Sequence, residues 1–75
     1  MALLIKTQHK INAAVEKLYI AQAANDAHNM QQQGRIQLAK GNVARARFDF
    51  EEARNAQSWI HKRNVILHKE QRLSR

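Results

Sequence analysis

The sequence contains no cysteine and no proline, and only two of its 75 residues are glycine. Without cysteine the chain has no disulfide framework and no thiolate metal site, which fits a reducing compartment. With so few residues that favour tight turns, helix is expected almost throughout. At this length we expect one small domain, residues 1–75. It needs very regular helices or a partner chain to bury enough surface.

Long hydrophobic runs are also missing. The apolar opening, residues 1–5, is far shorter than the hydrophobic core of a signal peptide. No stretch approaches the length of a membrane-spanning helix. The sequence therefore predicts a soluble, cytoplasmic protein with no membrane among its partners.

Acidic residues are few relative to basic ones. Thirteen Lys and Arg against six Asp and Glu give a net charge of +7. Such an excess favours contact with phosphate backbones, anionic membrane surfaces or acidic protein patches. It also serves solubility, so charge is only the first step toward inferring a nucleic-acid partner.

Periodic apolar residues and one short break predict an all-α fold, an antiparallel helical hairpin. Gly41 suits the left-handed position after a first helix, and Asn42 suits the N-cap of a second. The second helix is expected from Val43 to about Leu73, antiparallel to the first because the turn, residues 40–42, is short. Gly34 leaves open whether the first helix is continuous or broken into two.

One face of the first helix is predicted from apolar residues at three- and four-residue steps. It consists of Leu4, Ile11, Ala14, Val15, Leu18 and Ala21. The same face continues through four amide residues, Gln22, Asn25, Asn29 and Gln32, and becomes apolar again at Ile36. We expect this face to pack against the second helix.

The second helix carries two apolar stripes. One consists of Ala46, Ala53, Ala56, Ile60 and Leu67, and the other of Phe48, Trp59, Ile66 and Leu73. One stripe can cover the first helix, and the other needs a further surface. That surface is either a third helix folded back from a break in the first, or a second copy of the chain or a partner protein in a bundle.

If the chain folds back at Gly41, residues whose numbers sum to about 83 should lie opposite one another. Leu18 would then face residues 64–65. The middle of the hairpin then has two alternatives. In the first, Asn25 opposite residues 57–58 and Gln22 near residues 60–61 form a buried amide layer, which would fix the register. Otherwise this region is simply solvated.

Five residues, Gly34, Gly41, Ala46, Phe50 and Ala53, have the spacing of the small and aromatic positions of a tetratricopeptide repeat. Residues 27–58 therefore resemble a single repeat of that family. The pattern departs from it where Met30, Gln33, Gln37 and Ser58 stand in place of the usual Trp, Leu, Tyr and Pro. The resemblance implies a helical hairpin with a protein-binding surface and no catalysis.

Residues for catalysis or metal binding are not arranged in any recognisable site. The four histidines, His9, His28, His61 and His68, form no HxxxH pair, and solvated or networked side chains are the simpler interpretation. Ser58 precedes His61 by three residues, but no third group is evident to orient the imidazole. No phosphate-binding glycine loop is present. We expect no enzyme, no metal, no cofactor and no small-molecule substrate.

Two hypotheses for function follow. The first is a small adaptor or inhibitor that docks on a host or partner protein machine, of the type that phages and mobile elements encode. Its surface would comprise Phe48, Trp59, Arg63 and Ile66. The alternative is a nucleic-acid-binding protein, dimeric and directed to the phosphate backbone. It would use a basic stripe on the second helix formed by Arg47, Arg54, Lys62, Lys69 and Arg72.

Overall fold

The computed structural model describes residues 2–75, which form two α-helices. Helix α1 spans Ala2–Ala39 and helix α2 spans Val43–Leu73. They pack side by side as an all-α hairpin, as predicted, 60 Å long and 14 × 12 Å across. Helix α1 is continuous through Gly34, so within residues 2–75 no third helix folds back onto the pair.

The turn between the helices is closed by backbone and side-chain hydrogen bonds. Gly41 has a φ of 81°, in the left-handed region that favours glycine. The Asn42 N–H donates to the Gln37 carbonyl at 2.9 Å, which satisfies one of the free carbonyls at the end of α1. The Asn42 side-chain oxygen accepts from the Arg45 N–H at 3.4 Å and caps α2.

The helices meet along residues that alternate in steps of four and three, the 3.5-residue repeat of a coiled coil. We call these positions the inner seam. In α1 it comprises His9, Ala13, Glu16, Ile20, Ala23, Ala27, Met30, Gly34 and Gln37, all buried or half-buried. In α2 it comprises Ala46, Asp49, Ala53, Ala56, Ile60, Arg63, Leu67 and Glu70. The alanine stripe predicted for α2 lies within this seam.

Small residues let the helices approach closely. The buried apolar side chains of the described residues are four alanines and one leucine: Ala13, Ala27, Ala46, Ala53 and Leu67. A Cβ added to Gly34 would lie 2.8 Å from Cε1 of Phe50, so the aromatic ring fills the space over the glycine. The core is therefore thin, and no large side chain among residues 3–75 is fully buried.

The face predicted for α1 does not meet α2, and this expectation is wrong. Except for Ala14 and Ala21, its residues belong, together with Gln8, to a second line with the same spacing, which we call the outer seam: Leu4, Gln8, Ile11, Val15, Leu18, Gln22, Asn25, Asn29, Gln32 and Ile36. From Ile11 onward, each lies two positions, about 200° around the helix, from an inner-seam position. All ten are exposed. The reason is steric, because the smaller residues of the inner seam allow closer helix packing.

The predicted register is also wrong, by about one helical turn. His9 contacts Glu70 and Arg63 contacts Glu16, pairs whose numbers both sum to 79. The amide residues Gln22 and Asn25 are exposed, so the solvated alternative holds for the middle of the hairpin. The contact there is made by alanines, and the polar groups within the seam are ionisable except for Gln37.

Candidate protein-binding groove and basic face

An open groove of about 320 Å³ runs between the helices on one side of the hairpin. Its walls include Tyr19, Ala23 and Met30 from α1, and Ala56 and Trp59 from α2. The lining is mainly apolar, with two carboxylates, Asp26 and Glu52, at the end nearer the turn. The groove combines aromatic surface with flanking charge, as protein-binding sites commonly do.

Trp59 is held in this groove by Arg63, which in turn contacts Glu16 of α1. The Arg63 guanidinium lies over the indole ring, 5.0 Å from its centroid. The same guanidinium donates to Oε1 of Glu16 on α1 at 3.2 Å. Arg63 is thereby fixed between the two helices, while Trp59 remains 38% exposed. A rigid, half-exposed tryptophan beside an arginine is a typical anchor for a protein partner.

The other residues predicted for protein binding lie outside the groove. Phe48 stacks beneath Arg45, with 5.5 Å between the guanidinium carbon and the ring centroid. It lies eleven residues before Trp59, about 16 Å along the helix axis. Ile66 is exposed two turns beyond Trp59. The structure thus brings Trp59 and Arg63 together and leaves Phe48 separate.

Tyr19 was missed by sequence reasoning, although it lines the groove with Trp59. The two residue numbers sum to 78, close to the register of the observed ion pairs. The register expected from the sequence, in which facing residue numbers sum to about 83, would instead place Trp59 opposite residue 24. Tyr19 would have been found if the small residues of α1, rather than its aliphatic ones, had been used to set the register.

The predicted basic stripe lies on the outer side of α2, where Arg47 and Arg54 also line a groove with Leu38 of α1. Its five side chains are all exposed: Arg47, Arg54, Lys62, Lys69 and Arg72. None of them forms an ion pair within residues 2–75, where the ion pairs involve His9, Arg45 and Arg63. Glu51 is the single carboxylate on this face. We call this surface the basic face.

Three carboxylates lie in the inner seam, and their partners differ. Glu70 accepts from Nδ1 of His9 at 2.5 Å and from Nδ2 of Asn12 at 3.5 Å. These bonds, the His9 bond first, lower the pKa of Glu70 below its ordinary value despite partial desolvation. By contrast, Oδ2 of Asp49 and Oε2 of Glu16 are buried without a hydrogen-bond partner.

Among residues 3–75, no three His, Asp or Glu side chains are placed to hold a metal ion. Neither helix, over the part of the chain that the structure describes, is long and apolar enough to cross a membrane. The features that the structure does show are two surfaces, the apolar and aromatic groove and the basic face.

Comparisons of this chain with family models, curated proteins and solved structures found no match. The likeness to a tetratricopeptide repeat accordingly stays a prediction. Its signature residues do lie at helix contacts and in the turn, but both helices extend well beyond residues 27–58.

Proposed function

We propose that this protein is a non-enzymatic interaction module that docks the groove around Trp59 on another protein, as an adaptor or inhibitor. The observation that carries the proposal is the fixed position of Trp59, half-exposed and covered on one side by Arg63. An indole and a guanidinium held in place lose little conformational freedom when a partner binds.

The charge of the chain indicates the kind of partner. A net charge of +7 favours an acidic surface. The groove itself is apolar at its centre, so the bound segment would present an apolar side chain to Trp59 and a carboxylate to Arg63.

Affinity capture from native lysate treated with nuclease tests this proposal, with wild-type protein and two variants as baits. Trp59→Ala removes the anchor, and Val65→Ala removes a smaller apolar group from the exposed outer side of α2. Partners at the groove should be retained by wild type and Val65→Ala and lost at least about 10-fold with Trp59→Ala.

Equal retention by all three baits, or no enriched protein, would contradict the proposal. Trp59 is the only tryptophan of the chain, so its fluorescence reports directly on binding of a purified candidate. A candidate that binds without changing this fluorescence does not occupy the groove.

A second function is supported by a different observation: within residues 2–75 none of the five basic side chains of this face forms an ion pair. We infer that this surface is available to a phosphate backbone, without base-specific contacts. Five cations along one exposed side of α2, from Arg47 to Arg72, extend about 37 Å.

Fluorescence anisotropy with a duplex DNA, measured over a range of salt concentrations, tests this second function. Arg54→Gln with Lys62→Gln should weaken binding and reduce the salt dependence by about one to two released counterions. The matched control is Lys10→Gln with Lys17→Gln, which removes the same charge from exposed positions on α1. Equal losses in both variants would indicate a nonspecific effect of net charge.

A further inference from the structure

We propose that the outer seam of α1 binds a second copy of this chain, in parallel and in register, to form a dimer. This inference rests on other observations than those behind the groove and the basic face, although Tyr19 and Gln22 border both the groove and this seam. It begins with the amount of surface that the hairpin leaves uncovered. The accessible surface is 5831 Å². A compact monomer of 8.7 kDa would expose about 4,700 Å².

The difference, about 1,100 Å², is of the size that one partner contributes to a stable protein interface, about 800 Å² or more. The inner seam cannot compensate, because its buried apolar core consists of four alanines and Leu67. A further helix against the hairpin would bring the chain to an ordinary degree of burial. The question is which surface that helix covers.

The outer seam is the surface with the matching pattern. Its 3.5-residue repeat runs without interruption from Leu4 to Ile36, about 48 Å of helix. Its aliphatic side chains are far from buried: Leu4 and Leu18 are each 71% exposed and Ile11 is 52% exposed. Aliphatic side chains at this spacing, as over Leu4–Leu18, are typical of a coiled-coil seam, whereas the five amides among the ten positions lower its stability.

Charge selects a second copy as the occupant. A chain of net charge +7 repels its own kind at most surfaces, yet none of the ten outer-seam residues is Lys, Arg, Asp or Glu. The residues that flank its aliphatic half are uncharged as well: Ile5, Thr7, Asn12, Ala14, Tyr19 and Ala21. Two copies can therefore meet there without bringing like charges together.

The order of residues selects the orientation. Four of the five aliphatic side chains lie within Leu4–Leu18, and four of the five amides lie within Gln22–Gln32. In a parallel, in-register pair, aliphatic contacts aliphatic and amide contacts amide along the whole seam. An antiparallel pair of full overlap would oppose Ile11 to Asn29. Amides within a coiled-coil seam can hydrogen-bond across it and fix orientation and register.

Light scattering on the purified chain tests the dimer. The expected molar mass is twice 8.7 kDa. Leu18→Glu places a carboxylate in the centre of the seam of both copies and should raise the dissociation constant at least about 100-fold. Val65→Glu makes a matched change at a position that is 63% exposed on α2, and should leave the mass unchanged.

Disulfide cross-linking tests the orientation without disturbing the aliphatic half. The chain has no cysteine, so Gln32→Cys supplies a single thiol. In the parallel dimer the two introduced thiols lie side by side and should oxidise to a covalent dimer, whereas Ser58→Cys on the outer side of α2 should not.

A monomeric wild type at tens of micromolar would overturn the proposal. So would a dimer that resists Leu18→Glu as well as Val65→Glu, or one in which Gln32→Cys cross-links no better than Ser58→Cys.

Discussion

Helix α1 carries two seams with the same spacing on opposite sides, and α2 covers the one with fewer aliphatic side chains. The inner seam of α1 offers alanines, Gly34 and ionisable groups, with only Ile20 and Met30 as large apolar residues. The outer seam offers Leu4, Ile11, Val15, Leu18 and Ile36. The difference shows that close backbone approach selects the partner face within the hairpin. The more hydrophobic face is instead the one that α2 leaves exposed.

The largest effect is expected from a larger side chain in the inner seam. Ala27 is buried between the helices, and Ala27→Leu forces three more carbons into a contact built on small residues. We expect the free energy of unfolding to fall by about 1–3 kcal/mol, measured by urea unfolding followed by circular dichroism. Ala24→Leu makes the same change at an exposed site of α1 on neither seam, and should stay within about 0.5 kcal/mol. Equal effects would show that small size is not what holds the helices together.

A second change sharpens the comparison by removing charge from the inner seam. Asp49 is 7% exposed, and its Oδ2 has no hydrogen-bond partner. Asp49→Ala should raise the free energy of unfolding by about 1 kcal/mol, since it removes an unsatisfied buried oxygen and favours helix. Asp26→Ala, at an exposed position of α1, controls for the helix preference alone. If Asp49→Ala gains no more than Asp26→Ala, the buried oxygen carries no cost.

The smallest expected effect concerns acid sensitivity at the open end of the hairpin. The His9 hydrogen bond lowers the pKa of Glu70 in the folded chain. Its contribution is therefore full above the pKa of the unfolded chain and lost as the pH falls through the lower, folded value. Thermal unfolding midpoints between about pH 6 and pH 3 should drop less steeply for Glu70→Gln than for wild type. Parallel curves would show that this pair does not couple protonation to folding.

The hairpin itself could be predicted from the sequence, whereas its register and the orientation of α1 could not. Lys40, Gly41 and Asn42 are strong local signals, because a left-handed glycine and an N-cap depend only on neighbouring backbone. Which face of α1 packs against α2 depends on where the two backbones can approach closely. The aliphatic residues of α1 lie on the opposite face and therefore indicated the wrong one. Tyr19 was missed for this reason, while Trp59 and Arg63 were found because both lie on α2, whose alanine stripe was identified correctly.

The turn at Gly41 also determines the order in which the molecule closes. Gln37 and Asn42 are five residues apart in sequence, whereas His9 and Glu70 are 61 apart. Bringing Gln37 and Asn42 together closes a short loop and costs little entropy. Bringing His9 and Glu70 together costs much more, unless the contacts between them in the hairpin have already formed. We therefore expect the hairpin to form from its turn toward its termini, with the rate of amide hydrogen exchange rising in the same direction.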